Sequence, residues 1–260
     1  MDLLNTIILG VVEGVTEFLP ISSTAHLIIT SKFLNIPQTS FQKLFEVFIQ
    51  SGAIMAVLFL YFQDLKSDFK TLKNLFFSFL PTAVVGFFLY KVIKNIFFES
   101  ISLISFSLFL VGAIFVIVEF FLKKKKLILE KKIKDINIFQ ALIIGLGQSL
   151  AVVPGVSRAG AVILTMLVLG YRREEAAKYS FLLSIPTIFI ASFFDLYKSK
   201  DVLIFDFNQV KILVIGFFTA FIFALISVKW LIGFLKKNSL MIFGIYRITL
   251  AIILMKFLFL

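Results

Sequence analysis

The sequence contains no cysteine, one histidine, one tryptophan and five prolines among 260 residues. Without cysteine there can be no disulfide and no thiolate metal site. Charge is also scarce. Asp, Glu, Lys and Arg make up 16% of the chain, where a soluble domain carries about a quarter. No basic stretch is interleaved with aromatics as a nucleic-acid groove requires, so no nucleic-acid partner is expected. The start of the chain lacks a basic n-region: Asp2 stands there, and the first apolar run stops at Glu13, so a cleaved signal peptide is not expected. What the chain has in excess is apolar surface, 60% of residues, with 35 phenylalanines. The bilayer is therefore the expected solvent for most side chains.

The few charges mark where elements end. Uncharged stretches run 47–63, 74–90, 100–118, 136–157, 179–194 and 212–228. A spanning helix needs about 20 mostly apolar residues, with polar ends reaching outward. Six spans are expected, at 44–63, 72–93, 100–122, 176–197, 209–234 and 239–259. Two regions do not read as spans. Residues 136–170 are broken at Pro154 and Gly155, and residues 3–35 at Pro20, with Glu13, Glu17 and His26 around the break. Each is expected to be a re-entrant helical hairpin.

The two odd regions correspond. An offset of 134 carries Pro20 to Pro154 and Ser23 to Ser157, and an offset of 135 carries Gly10 to Gly145 and Glu13 to Gln148. Each half holds one hairpin and three spans, so the second half starts on the opposite face. The expected fold is thus an all-α integral membrane protein with an inverted-topology repeat, one membrane domain over 1–260. Its first repeat covers 1–130, with hairpin 3–35, and its second covers 135–260, with hairpin 136–170. Seven lysines lie between Lys123 and Lys134. Placing them inside puts Lys66, Lys70, Lys73, Arg172, Arg173, Lys178, Lys236 and Lys237 inside too, with the 198–208 loop and both termini outside.

The most unusual segment is Glu13-Gly-Val-Thr-Glu17-Phe-Leu-Pro-Ile-Ser-Ser-Thr-Ala-His26. It sets two carboxylates, three hydroxyls and the only histidine in an apolar region. Glu13 and Glu17 are one helical turn apart and share a face, where like charges persist only with a compensating cation, proton or arginine. Pro20 ends that helix, and Ser22, Ser23 and Thr24 open the next, where free N–H groups bind anions. The second break, Pro154-Gly-Val-Ser157-Arg158-Ala-Gly160, adds a guanidinium fork suited to phosphate oxygens. If the two breaks meet, Arg158, serines, His26 and two glutamates can hold a phosphate, attack it and bind a divalent cation. Taken singly, each has a plainer reading: a polar cavity lining for Glu13 and Glu17, a helix cap for Ser22-Ser23-Thr24, a structural role for His26, a snorkelling charge for Arg158. Glu46 and Gln50, one turn apart, could face the same cavity. Arg247, inside the last span, reads as half of a structural ion pair with a carboxylate of a neighbouring span.

These two motifs resemble the signatures of the undecaprenyl-pyrophosphate phosphatase family, also called the BacA or UppP bacitracin-resistance family. The likeness extends to Phe45-Glu-Val-Phe-Ile-Gln50, Ser180-Phe-Leu-Leu-Ser-Ile-Pro186 and Tyr246-Arg247. It implies hydrolysis of undecaprenyl diphosphate to the monophosphate, recycling the lipid carrier of peptidoglycan and other envelope polymers. It also implies a divalent cation, Mg²⁺ or Ca²⁺, and a multi-pass protein of the bacterial plasma membrane whose site opens to the outer side. By position, the family's acidic residues fall on Glu13 and Glu17, its serine on Ser23, its histidine on His26 and its arginine on Arg158, with Ser22, Thr24 and Ser157 as supporting hydroxyls. Ala25 departs from a usual Gly, Ala159 from a common Ser and Val162 from a common Thr, which removes hydroxyls near Arg158.

On this reading Ser23 is the nucleophile with His26 as acid or base. An attack by His26 itself stays open, as does the choice between metal binding and positioning for Glu13 and Glu17. Arg158, Ser22, Ser23, Thr24 and Ser157 would hold the phosphate. The partners are a polyprenyl diphosphate and membrane lipids, and a homodimer is compatible with the sequence. The competing reading is a secondary transporter or lipid flippase, since inverted repeats with broken helices are the usual transporter plan. A transporter has no need of the Ser-His-Arg set.

Overall fold

The computed structural model describes residues 1–92, 100–198 and 207–258. The central part of the expected outer loop at 198–208 lies outside those residues. Among the described residues ten α-helices follow one another: α1 (Leu3–Thr16), α2 (Ser23–Phe33), α3 (Ser40–Ser67), α4 (Phe69–Val92), α5 (Ile101–Lys123), α6 (Ile138–Ser149), α7 (Arg158–Val168), α8 (Arg173–Lys198), α9 (Phe207–Leu235) and α10 (Met241–Leu258). Side chains set several of the starts. Asp2 accepts the Asn5 N–H at 2.7 Å, Thr39 that of Gln42, Ser100 that of Leu103, and Asn137 with Gln140 forms a reciprocal capping box.

Helix length separates spans from broken elements. α1, α2, α6 and α7 have 14, 11, 12 and 11 residues, so each is at most about 21 Å long and cannot cross a hydrocarbon layer of about 30 Å. α3, α4, α5, α8 and α9 are long and apolar enough to cross a membrane. The sixth expected span, α10, has 18 residues, carries Arg247 and Lys256, and packs along α5. The chain is an all-α integral membrane protein, and within the described residues the six long helices begin and end within four residues of the expected spans.

Helix pairings recur between the halves. α1 packs on α9 and α6 on α4; α3 packs on α8, and α5 on α10. In both hairpins a glycine allows the close approach. A Cβ on Gly10 would stand 2.8 Å from Thr219 Cβ, and one on Gly145 would fall onto the Ser78 carbonyl. Hydroxyls fasten the same contacts. Ser227 donates to the Val15 carbonyl at 2.8 Å on the α1–α9 side, and Ser78 to the Ala141 carbonyl at 2.7 Å on the α4–α6 side.

The basic loops meet at one end of the bundle. Lys70 Nζ donates to the Lys134 carbonyl, the Ile133 N–H to Glu175, and Lys178 pairs with Asp64 at 2.7 Å. Asp68, which opens this loop's second helix by accepting from Thr71, is held below the usual carboxylate range by those hydrogen bonds. Glu119, at the end of α5, is the hub: it takes a bidentate pair from Arg173 at 2.8 and 2.5 Å and the Leu240 N–H at 2.8 Å, tying α8 and α10 to α5. Its side chain is 2% exposed. Removing one partner of such a pair strands a buried charge. Glu119→Ala should therefore lower stability by about 3 kcal/mol, read as an earlier thermal transition of the purified protein in detergent. A transition within one degree of the unsubstituted protein would remove Glu119 from this role.

A candidate active site at the two broken helices

The first break begins where α1 ends. Glu13 lies ten residues into α1, about 15 Å from its start by helical rise, and is fully buried. Glu17 continues the helical backbone one turn later, its N–H bonded to the Glu13 carbonyl. The chain then turns through Pro20 and Ile21 to Ser22, which caps α2 with its hydroxyl accepting the Ala25 N–H. The second break runs through Pro154 and Gly155 to Ser157, which caps α7 by accepting the Gly160 N–H at 3.1 Å. Ser22 and Ser157 both carry a positive φ, 73° and 69°, strained for residues other than glycine. By cap geometry the partner of Ser157 is therefore Ser22, at the offset of 135. The expected pairing of Ser23 with Ser157 is one residue out, because two residues separate Pro154 from its cap and one separates Pro20 from its own.

The breaks meet through Glu17. Arg158 Nη2 donates to Glu17 Oε1 at 2.8 Å, and the Ser23 hydroxyl donates to Glu17 Oε2 at 2.5 Å. Arg158 Nη1 is anchored on the Ser180 carbonyl at 2.8 Å, and its guanidinium lies 5.8 Å from the Phe18 ring centre. All three side chains are largely buried. The arrangement sets a hydroxyl on a carboxylate beside a guanidinium, the kinds of group that nucleophilic attack and anion binding use. The capping serines 22 and 157 use a lone pair on the backbone, so each O–H stays available as a donor. Thr24 sits beside them, half-buried, without a hydrogen bond of its own among the described residues.

His26 is placed differently from the expectation. It does not face Ser23; both ring nitrogens are engaged elsewhere. Nδ1 lies 2.7 Å from the Ser22 carbonyl, which can only accept, so Nδ1 carries the hydrogen. Nε2 lies 2.6 Å from the Tyr246 hydroxyl, and the two rings stack with centroids 5.7 Å apart. In the neutral ring the tyrosine donates to Nε2. The base within reach of Ser23 is Glu17. The difference arises because the tight turn at Ser22 folds Glu17 back over the start of α2, which helical spacing alone does not show.

Glu13 has both carboxylate oxygens buried without a hydrogen-bond partner, with Glu17, Glu46 and Arg158 within electrostatic reach. Two free oxygens suit a cation, but Glu17 has both of its own committed. Among the described residues no three His, Asp or Glu side chains cluster as a metal centre. Glu13 alone is thus a partial donor set for a divalent cation, and Glu17 would join it as a second ligand only once Arg158 or Ser23 is drawn away. Glu46 accepts from Gln42, Ser31 and Gln38 at 2.8, 3.1 and 3.4 Å, forming a polar cluster at the start of α3. Of the departures from the family pattern, Ala25, Ala159 and Val162 are all fully buried, Val162 within the main core.

Arg247 corrects a second expectation. It has no carboxylate partner among the described residues. Nη1 donates to the Pro20 carbonyl at 3.0 Å, and Nη2 to the Gly155 and Val156 carbonyls at 2.6 and 3.1 Å. The signal in the sequence was an arginine within an otherwise uncharged run. Tyr246 left no signal beyond its place in the motif Tyr246-Arg247.

Fold and site together define a polytopic membrane protein with a buried Ser–Glu–Arg centre where two interrupted helices touch. A family model described as "Bacitracin resistance protein BacA" matches residues 6–253. The chain is 47% identical over 254 residues to an undecaprenyl-diphosphatase of Campylobacter fetus, covering 96% of this chain and 97% of that one. It is 46% identical to one of Persephonella marina, over 99% of each, and 44% identical to one of Aquifex aeolicus, over 96% of each. The chain belongs to the BacA bacitracin-resistance family.

The protein has a single histidine, so ¹⁵N-histidine labelling reports on His26 alone. The expected spectrum is that of the Nδ1–H tautomer, and Tyr246→Phe should shift the Nε2 resonance by removing its donor. An Nε2–H tautomer in the unsubstituted protein would sink the assignment.

Proposed function

We propose that this chain hydrolyses undecaprenyl diphosphate to undecaprenyl phosphate and inorganic phosphate at the membrane, recycling the lipid carrier for peptidoglycan and conferring bacitracin resistance. One observation carries the proposal: the Ser23 hydroxyl donates to a Glu17 carboxylate that is at the same time held by Arg158. A transporter or flippase needs a passage between helices but no hydroxyl placed on a base. The relatives named above, each an undecaprenyl-diphosphatase, support the same reading.

The chemistry follows from the geometry. The terminal phosphate sits against Arg158, which exchanges part of its contact with Glu17 for phosphate oxygens, together with the hydroxyls of Ser22, Thr24 and Ser157. Ser23 Oγ attacks the terminal phosphorus while its proton passes to Glu17. The phosphoanhydride bond breaks and undecaprenyl phosphate leaves. Glu17 passes that proton to the departing lipid phosphate; water then attacks the phosphoserine, giving a proton to Glu17, which returns it to Ser23 Oγ as the P–O bond breaks and inorganic phosphate departs. His26, locked between the Ser22 carbonyl and Tyr246, supports the turn that presents Ser23. A divalent cation at Glu13 would offset phosphate charge and answer the two buried oxygens that lack partners.

The recurring helix pairings and the matching serine caps support an inverted-topology repeat, 1–130 against 135–260. With the shared basic end inside, α1 starts from the outer face of the bacterial plasma membrane, and Glu13, about 15 Å along it, lies near the midplane. The site then opens outward, and the prenyl tail stays in the bilayer. One chain supplies every residue used, so the reaction asks nothing of a second copy.

Phosphate release from undecaprenyl diphosphate by the detergent-purified protein tests the whole. Ser23→Ala should lose turnover by at least about a thousandfold while still binding substrate. His26→Ala should keep a residual rate, down on the order of a hundredfold. Substantial turnover in Ser23→Ala beside a dead His26→Ala, or a trapped phosphoryl group on His26, would make the histidine the attacking group.

Chelation should abolish activity and Mg²⁺ or Ca²⁺ restore it, with Glu13→Gln losing the response. Full activity in excess chelator would leave Glu13 and Glu17 as groups that handle protons and position Ser23.

A further inference from the structure

Arg247 lies six residues into α10, is fully buried, and has no acidic partner among its hydrogen bonds. A buried arginine in a membrane protein is costly and needs a reason. Its partners are three carbonyls from two segments more than a hundred residues apart in sequence. Nη1 takes the tip of the first break and Nη2 the tip of the second. Each carbonyl stands one or two residues before a serine cap with positive φ: Pro20 before Ser22, and Gly155 and Val156 before Ser157. Such strained caps persist only where their surroundings over-determine them. The second tip is confined from the other side as well. Gly155 has φ +92°, and a Cβ there would stand 2.7 Å from the Ile104 carbonyl of α5.

We propose that Arg247 is a positioning residue: its guanidinium spans the two tips and fixes the distance and orientation between Ser23–Glu17 on one and Arg158 on the other. It touches no substrate. Two features of the fork matter. Its planar donors reach both tips at once, which a lysine's single nitrogen cannot do in the same geometry. Its charge also satisfies carbonyls that interrupted helices leave open within the membrane. The kinetic part of this inference rests on the phosphatase reading; the bridging itself does not.

The test therefore has two readouts. In the Cys-free background, Ile21→Cys places a single thiol on the first tip, where the native side chain is 6% exposed. With Arg247 present, this thiol in native membrane vesicles should react slowly with a water-soluble maleimide. With Arg247→Lys it should react about tenfold faster, as local opening of the tip becomes easier. Without the reporter, Arg247→Lys should lower kcat for phosphate release on the order of a hundredfold, the scale of a small misplacement of reacting groups, with KM changed less than about threefold. Gly155→Ala, which displaces the same carbonyl from the opposite side, should reproduce both effects and carries the comparison if Arg247→Lys fails to accumulate. Turnover within a few-fold of the unsubstituted protein in Arg247→Lys would overturn the proposal. So would a fall in kcat without any change in thiol reactivity, which would mean that Arg247 acts on the reaction without holding the two tips together. Should the unsubstituted protein release no phosphate, the phosphatase reading fails, and the thiol readout still decides the bridging.

Discussion

A helix interrupted inside a bilayer leaves N–H and C=O groups that lipid cannot satisfy, each at a cost of several kcal/mol. The centre of this protein is built from the answers to that constraint. At each break a serine hydroxyl accepts an N–H of the helix that follows, Ala25 for Ser22 and Gly160 for Ser157. The carbonyls just before the caps are taken by Arg247. A third helix thus supplies from its side what both hairpins lack in their own backbones. The same turns bring Ser23 and Arg158 together on Glu17, so the solution to the folding problem and the candidate site are one arrangement.

Charge follows the same logic. Glu17 and Arg158 compensate each other directly at 2.8 Å. Glu13 and Arg247 do not meet; one has two carboxylate oxygens without partners, and the other is answered by dipoles alone. Neither group is therefore compensated by a direct ion pair. An incoming diphosphate competes with Glu17 for Arg158 and adds negative charge beside Glu13. A cation or a proton at Glu13 would relieve that repulsion. Because the region is largely screened from water, each of these interactions is stronger than it would be at a surface.

How far the sequence disclosed this depends on the kind of partner. Charges at span ends placed six long helices to within a few residues, since transferring Lys or Asp into hydrocarbon is expensive enough to leave a mark in composition. Proline and glycine marked the breaks. The pairing of Ser23 with Glu17 was hidden, because it depends on a serine at φ 73°, and residues other than glycine carry no visible sign of positive φ. The spacing of Ser23 and His26 suggested a shared face, yet His26 turns to the Ser22 carbonyl and Tyr246. Arg247 stood out as a charge, but its partners are backbone carbonyls, to which side-chain identity gives no clue.

The two halves divide the chemistry unequally over a shared scaffold. At the offset of 135 set by the caps, Ser22 matches Ser157, Ser23 matches Arg158, and Glu13 matches Gln148. The first tip carries the hydroxyl and the carboxylate, and the second carries the guanidinium. Gln148 shows what the scaffold does without the acid. It is as buried as Glu13, donates to Thr82 and Thr187 at 2.8 and 3.2 Å, and leaves its Oε1 without a partner. A neutral amide there neither repels phosphate nor calls for a cation. The scaffold could in principle present equivalent centres to both faces of the membrane. It presents one because carboxylate, hydroxyl and guanidinium are assigned to different halves and become a functional set only where Glu17 reaches across to Arg158.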